Sequence, residues 1–183
     1  IVTEINPVKA IEARMDGFSV MPMNEAAPLG DIFVTATGCV GTVTTEHMRA
    51  MKDGAILCNA GHFNVEIDMA GLAAIAAEKK ESRQNIMGYR LPNGRRIHVI
   101  AEGRLVNIAA SNGHPAEIMD MSFAVQFLSA LYILRNHEKL DKRVIDVSAE
   151  TDEFVARRKL AAWGIRIDAL TREQEAYLNS WTV

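Results

Sequence analysis

The sequence predicts an α/β protein: a parallel sheet followed by a C-terminal helical segment. Two observations carry this expectation. Short apolar, β-branched runs alternate with short helical patterns through the first third of the chain, as βαβ units do. Beyond Gly113 the apolar spacing turns helical and stays so to the end. The composition is that of a globular chain: 183 residues, 49% hydrophobic, 23% charged, with a mean hydropathy of +0.01.

Each element has a local reason. Ile1–Ile5 is a β-branched run, and Asn6-Pro7 then caps and opens a helix that Val8 to Met15 continue. Phe18–Met21 reads as the next strand and Met23–Ala27 as a brief helix. Asp31–Ala36 is a cleaner strand, ending at Thr37-Gly38-Cys39. Thr44 and Thr45 cap a helix through Met51, and Ala55–Ala60 is a further apolar strand. The rhythm then changes. Met69–Lys79 is an Ala-rich helix. Asn85–Leu91 and Arg95–Ala101 form a hairpin about Pro92-Asn93-Gly94, since Asn-Gly favours a tight turn. After the Gly113-His114-Pro115 corner come helices at Ala116–Arg135, at Ala149–Trp163 (closed by Gly164) and at Thr171–Trp181. The last opens on Thr171-x-x-Gln174, a capping box. No repeat or low-complexity segment is present.

Composition also excludes function classes. Twenty basic against 23 acidic residues give a net charge of -3, without the basic stripe of a nucleic-acid binder. Cys39 and Cys58 are too few for a disulfide framework and read as reduced thiols of a cytoplasmic protein. No stretch approaches about 18 consecutive apolar residues, so no membrane segment is expected. No Cys/His spacing matches a zinc pattern, and Glu66 and Asp68 read as caps of the helix that follows them. No serine nucleophile elbow occurs, and the nine methionines read as core filler.

Ligands of an α/β sheet collect at the carboxyl ends of its parallel strands. Glu4 closes the first predicted strand, where a dinucleotide fold places a carboxylate for ribose hydroxyls. Thr37-Gly38-Cys39 and Asn59-Ala60-Gly61-His62 close two others, with small residues that let backbone amides approach a ligand. The G-x-G-x-x-G expected about 20 residues before such a carboxylate would fall ahead of Ile1, which itself lies inside a predicted strand. Among the histidines, His62 and His114 each follow a glycine in a loop, where an imidazole can move protons. His47, His98 and His137 sit in helix, strand and charged turn and read as structural.

These segments together resemble the adenosylhomocysteinase family. The resemblance rests on Val2-Thr-Glu-Ile-Asn-Pro, Asp31-Ile-Phe-Val-Thr-Ala-Thr-Gly-Cys and Met51-Lys-Asp-Gly-Ala-Ile-Leu-Cys-Asn-Ala-Gly-His-Phe-Asn-Val-Glu-Ile-Asp. It continues through Asn93-Gly-Arg-Arg-Ile, Ala101-Glu-Gly-Arg-Leu-Val-Asn, Gly113-His-Pro, Met119 and Ser122-Phe123…Gln126. With no Lys…Tyr tail after Trp181, the chain is similar to the shorter archaeal and bacterial branch. The resemblance implies a Rossmann-like NAD domain over residues 1–113, lacking its first βα unit in this chain. It further implies a long helix at 114–135 that links back toward a substrate domain, and an oligomerisation segment at 136–183.

The resemblance also implies a chemistry. NAD oxidises the 3′-hydroxyl of S-adenosyl-L-homocysteine, homocysteine is eliminated, water adds, and the hydride returns to give adenosine. Carried over by position, Glu4 holds the adenosine ribose of NAD. Thr37, Gly38, Cys39 and Gly61 line the cofactor cleft, and Asn107 bonds the nicotinamide amide. His62 stands at the reacting ribose as the catalytic histidine, and His114 near the substrate purine; both also border the cofactor. A homodimer or homotetramer in the cytoplasm is implied, with no metal, nucleic acid or membrane. Ala36 departs from a more usual Thr, and Ser111-Asn112 from small apolar residues. The latter change touches the purine loop and leaves S-inosylhomocysteine as an alternative substrate. Two other readings stand beside this one: a catalytically inactive fragment that serves only subunit contacts, and a 2-hydroxyacid dehydrogenase.

Overall fold

The computed structural model describes residues 1–180; Trp181, which the sequence places in the last helix, lies outside them. The chain divides into two compact units, Ile1–Gly113 and the residues from His114 onward.

The first unit is built on a five-stranded sheet in the order β1-β2-β5-β4-β3, with β1 Ile32–Thr35, β2 Ile56–Asn59, β3 Glu78–Arg83, β4 Ile86–Arg90 and β5 Arg96–Ile100. β1, β2 and β5 run parallel, in the register Val34↔Cys58 and Leu57↔Val99. β4 and β3 are antiparallel additions at one side. The α/β expectation is borne out. Helix α1 (Pro7–Met15) opens on Asn6, whose side chain accepts from the amides of Val8 and Lys9. The short α2 (Met23–Ala26) follows. Helix α3 (Thr45–Ala50) lies in the crossover between the parallel strands β1 and β2. Its cap is reciprocal, because Thr44 and His47 bond each other's backbone. Helix α4 (Met69–Ile75) starts at Asp68, which accepts from the amide of Gly71 at 2.8 Å.

The core lies on one face of the sheet. Leu57, Tyr89, Ile97 and Val99 meet Met48 and Met51 from α3, Leu72 from α4, and the loop residues Val43 and Ile67. Period-2 alternation turns Ile32 and Val34 to the opposite face, where they are 65% and 63% exposed.

Three expectations are corrected. The runs at 1–5 and 18–21 form no strands; they share one parallel bridge, Val2↔Val20. The flanking Ile1, Ile5 and Phe18 stay exposed, so nothing extends the ladder. The helix predicted over Met69–Lys79 stops at Ile75, where Ala76 turns extended and the amide of Ala77 bonds the carbonyl of Arg90 at 2.7 Å. Glu78–Arg83 then becomes an edge strand, exposed throughout. Helix-favouring charges suit a solvated edge and discourage further pairing there. Glu78 opposes and pairs with Arg90 at 2.7 Å. The predicted hairpin is present, turning on Gly94 with φ +87°.

After β5 comes a tight turn at Ala101–Gly103, then α5 (Val106–Ala109). The second unit holds α6 (Ala116–Asn136), α7 (Ala149–Ala162) and α8 (Arg172–Leu178). Ser148 caps α7, and the Thr171/Gln174 capping box forms as expected. Helices α6 and α7 pack on each other, joined by Lys159–Asp120 at 3.1 Å. The span Ala116–Lys139 is long and apolar enough to cross a membrane by length and composition, with a hydropathy of 1.3. Counting consecutive apolar residues misses it, because Glu117, Asp120, Gln126 and Ser129 interrupt the run.

Candidate functional site

Three parallel strands end on one edge of the sheet, at Thr35, Asn59 and Ile100. The loops that leave this edge are tied by two side chains. Asn59 is fully buried (0% exposed) and uses both ends of its amide. Its Oδ1 accepts from Thr35 Oγ1 at 3.2 Å and from the Gly61 amide at 2.7 Å. Its Nδ2 donates to the carbonyls of Phe63 at 2.8 Å and Gly103 at 2.9 Å. One residue at the end of β2 therefore fixes the exits of all three strands.

Glu66 is the second tie, and it is also 0% exposed. Oε2 accepts from the amide and the hydroxyl of Thr37 at 2.8 and 2.9 Å; Oε1 accepts from the Gly38 amide at 2.7 Å. Burial pushes the carboxyl up, but the amides of Thr37 and Gly38 and the hydroxyls of Thr37 and Thr35 outweigh it and hold the group below its ordinary value. Glu66 is thus an ionised carboxylate inside the fold and not a helix cap. Asp68 alone has that role.

This arrangement changes how the predicted loop residues work. The amides of Thr37 and Gly38 are taken by Glu66, that of Cys39 by Thr37 Oγ1 at 3.1 Å, and that of Gly61 by Asn59. Small residues here let the chain pack on its own carboxylate; the amides are not left for a ligand. A Cβ at Gly61 would stand 1.6 Å from Glu66 Oε1.

The third exit is bent. Ala101, Glu102 and Gly103 have φ of 53°, 54° and 77°; each non-glycine residue there costs about 1–2 kcal/mol. The turn is held by Asn59 on the Gly103 carbonyl, by Arg104 Nε on Ala101 O at 3.0 Å and by Lys79–Glu102 at 3.0 Å. It delivers α5 and, within it, Asn107. Asn107 Oδ1 is buried without a hydrogen-bond partner, the one such side-chain atom among the described residues. A buried acceptor left open costs about 1–3 kcal/mol, so a ligand that brought an N–H to this atom would relieve that cost.

His62 follows Gly61 and is exposed, its ring edge-to-face with Phe63 at 4.5 Å. Both border an open cleft of ≈ 490 Å³ shared with Arg104, Leu105 and Ile108. Cys39 is exposed, whereas Cys58 is buried and its thiol is pushed up by burial. Glu4 is exposed at the first turn, where its Oε1 accepts from the amides of Ile5 and Asn6 at 2.7 and 2.9 Å. The Asn6 and then the Ile5 amide hold its carboxyl below the ordinary value, so it is charged at neutral pH. His114 is the first residue of the second unit and is exposed before Pro115. Among the described residues no three His, Cys, Asp or Glu side chains converge as metal ligands would.

The structure therefore brings Thr37, Gly38, Cys39, Gly61, His62 and Asn107 to loops and a short helix on one sheet edge. Sequence reasoning misses Glu66 and the bridging role of Asn59. The Asn-x-Gly spacing at 59–61 is a signal for the second; a buried acid has none.

Residues 1–113 match the family described as S-adenosyl-L-homocysteine hydrolase, NAD binding domain. The whole chain aligns with proteins named adenosylhomocysteinase. Identity is 60% to that of Aquifex aeolicus, 57% to that of Thermococcus kodakarensis and 56% to that of Pyrococcus abyssi, each over 99% of this chain. The chain spans 43% of the length of each of these relatives.

Proposed function

The chain belongs to the S-adenosyl-L-homocysteine hydrolase family, and from that membership we propose that the polypeptide containing it carries out the reversible hydrolysis of S-adenosyl-L-homocysteine to adenosine and homocysteine. Residues 1–113 belong to the family's NAD-binding domain. The structural observation that carries the NAD part of the reading is the partnerless, buried Oδ1 of Asn107 in α5, the helix that follows the third strand exit. A nicotinamide carboxamide offers the N–H that this oxygen lacks.

The other residues fit the same cofactor. Glu4 keeps an ionised carboxylate whose Oε1 is shared with two backbone amides, a suitable acceptor for vicinal ribose hydroxyls. Its charge disfavours a 2′-phosphate and selects NAD over NADP. When bound, NAD supplies the removal and return of hydride at the 3′ carbon of the substrate ribose. Thr37, Gly38, Cys39 and Gly61 are assigned to the cofactor side of this sheet edge. His62 is assigned to the reacting ribose, where an imidazole nitrogen can accept and return a proton, and His114 to the purine.

We extend the proposal to the second unit. Residues 114–135 link back toward a substrate domain, and 136–183 serve assembly into a homodimer or homotetramer in the cytoplasm. Exposed apolar residues on α6 (Phe123, Phe127, Ile133 and Leu134) support a protein-facing reading of that helix. The test is direct: incubate the complete polypeptide with S-adenosyl-L-homocysteine and follow adenosine and homocysteine. Adenosine released in an NAD-dependent way supports the reading. Turnover of S-inosylhomocysteine alone would reassign the purine, and turnover of neither would overturn the proposal.

A further inference from the structure

Glu66 poses a problem that stability alone does not solve. Residues 37–39 are exposed, so water could satisfy their amides at no cost. The fold instead places an ionised carboxylate at 0% exposure to take those amides from inside, and burying a charge is expensive even when it is hydrogen-bonded. A stretch that needed only to be stable would do better with an apolar residue beneath it. What the carboxylate adds is direction. The two amides are held on separate oxygens at 2.8 and 2.7 Å, and an amide side chain in this place would turn a donor toward one of them.

The consequence follows from peptide planarity. Among the described residues every peptide bond is trans, and in a trans unit the carbonyl points opposite to the N–H. With the amides of Thr37 and Gly38 turned inward onto Glu66, the carbonyls of Ala36 and Thr37 are turned away from it. A loop at a strand's carboxyl end ordinarily offers N–H donors to a ligand; this one offers acceptors. The glycine at position 61 belongs to the same device, since a Cβ there would occupy the carboxylate's place, 1.6 Å from Oε1.

We propose that Glu66 is a positioning residue that fixes the Ala36–Gly38 loop as an acceptor surface for donor groups of the cofactor, its hydroxyls or carboxamide. The inference rests on the NAD-binding reading given above. Glu66 touches no ligand itself; it acts through the orientation of Thr37 and Gly38.

The experiment titrates NAD into the complete, NAD-stripped polypeptide and into Glu66→Gln, Thr37→Val and the double variant, with a thermal melt of each. Glu66→Gln preserves the volume and removes the charge and one acceptor. It should melt cooperatively yet bind NAD about 10-fold more weakly, and the double variant should lose no more than about 2-fold beyond the worse single, because both changes act on one loop. At saturating NAD the KM for S-adenosyl-L-homocysteine should stay within about 2-fold, which places the loss in the cofactor Kd and not in the substrate site. Affinity unchanged in Glu66→Gln, or losses that multiply in the double variant, would overturn the inference. Should Glu66→Gln not fold, Glu66→Asp decides: the shorter side chain keeps the charge but draws the carboxylate back from the amides of Thr37 and Gly38, so weaker NAD binding supports the inference and unchanged binding overturns it. An unaltered protein that binds no NAD overturns the underlying reading instead, so the two failures are distinguishable.

Discussion

Gly61 lies directly against the carboxylate of Glu66, so close that a methyl group there would fall 1.6 Å from Oε1. The two residues belong to the same strand-to-helix segment, and their contact closes the loop after β2 while Glu66 grips the loop after β1. Everything proposed for the sheet edge depends on that junction.

Gly61→Ala should therefore be costly. The new Cβ meets a buried, hydrogen-bonded group that cannot move aside, which is overpacking of about 1–3 kcal/mol. Gly94→Ala is the matched control: nothing lies within 4 Å of its Cβ position and only its φ of +87° is strained, a cost of about 1 kcal/mol. Denaturant melts of both should rank Gly61→Ala as the more damaging; equal losses would remove the steric argument.

Glu66 should also shape acid stability. Its carboxyl is held below the ordinary 4.5 in the fold, so its contribution is complete above that value and is lost as pH falls through the lower, folded-state value. In Glu66→Gln that part of the acid limb should flatten. Unfolding free energy against pH checks this, and parallel curves for the two proteins below 4.5 would refute it.

At the cofactor's far end, Glu4→Gln should relax discrimination between dinucleotides. Removing the charge removes its repulsion of a 2′-phosphate, so the ratio of NADP to NAD affinity should rise by about 10-fold, roughly 1.4 kcal/mol. Because Glu4 is exposed, the melting temperature should hardly move. An unchanged affinity ratio would detach Glu4 from the ribose.

The core makes a prediction independent of function. Leu72 is 0% exposed between α4 and the sheet, so Leu72→Ala should cost about 2–5 kcal/mol through lost burial and the cavity left behind. A loss under about 1 kcal/mol in a urea melt would mean that α4 does not pack as described.

Local chemistry made much of this fold legible. Asn6-Pro7, Thr171-x-x-Gln174 and Asn93-Gly94 each carry their own start or turn signal, and each appears where expected. The failures share one cause, a dependence on distant partners. Glu78–Arg83 has helix-favouring residues and becomes a strand because β4 offers it a ladder. Ile1–Ile5 has strand-favouring residues and lacks a ladder beyond one bridge. Glu66 stands two residues from a true cap, Asp68, and looks like another; only the fold brings it to Thr37, 29 residues away. Asn107 is visible in sequence only through family resemblance, since being buried without a partner is a property of three-dimensional packing.

The most direct test of the account is a titration of NAD into the NAD-stripped polypeptide and its Asn107→Leu variant, paired with thermal melts. Leu removes a buried acceptor that has no partner in the free protein, so without NAD the variant should be at least as stable as the unaltered chain, while its NAD affinity should fall by about 10-fold or more. Stability and binding moving in opposite directions would identify Asn107 Oδ1 as an acceptor kept open for the cofactor. Equal NAD affinity in the two proteins would contradict that assignment and, with it, the proposed cofactor site.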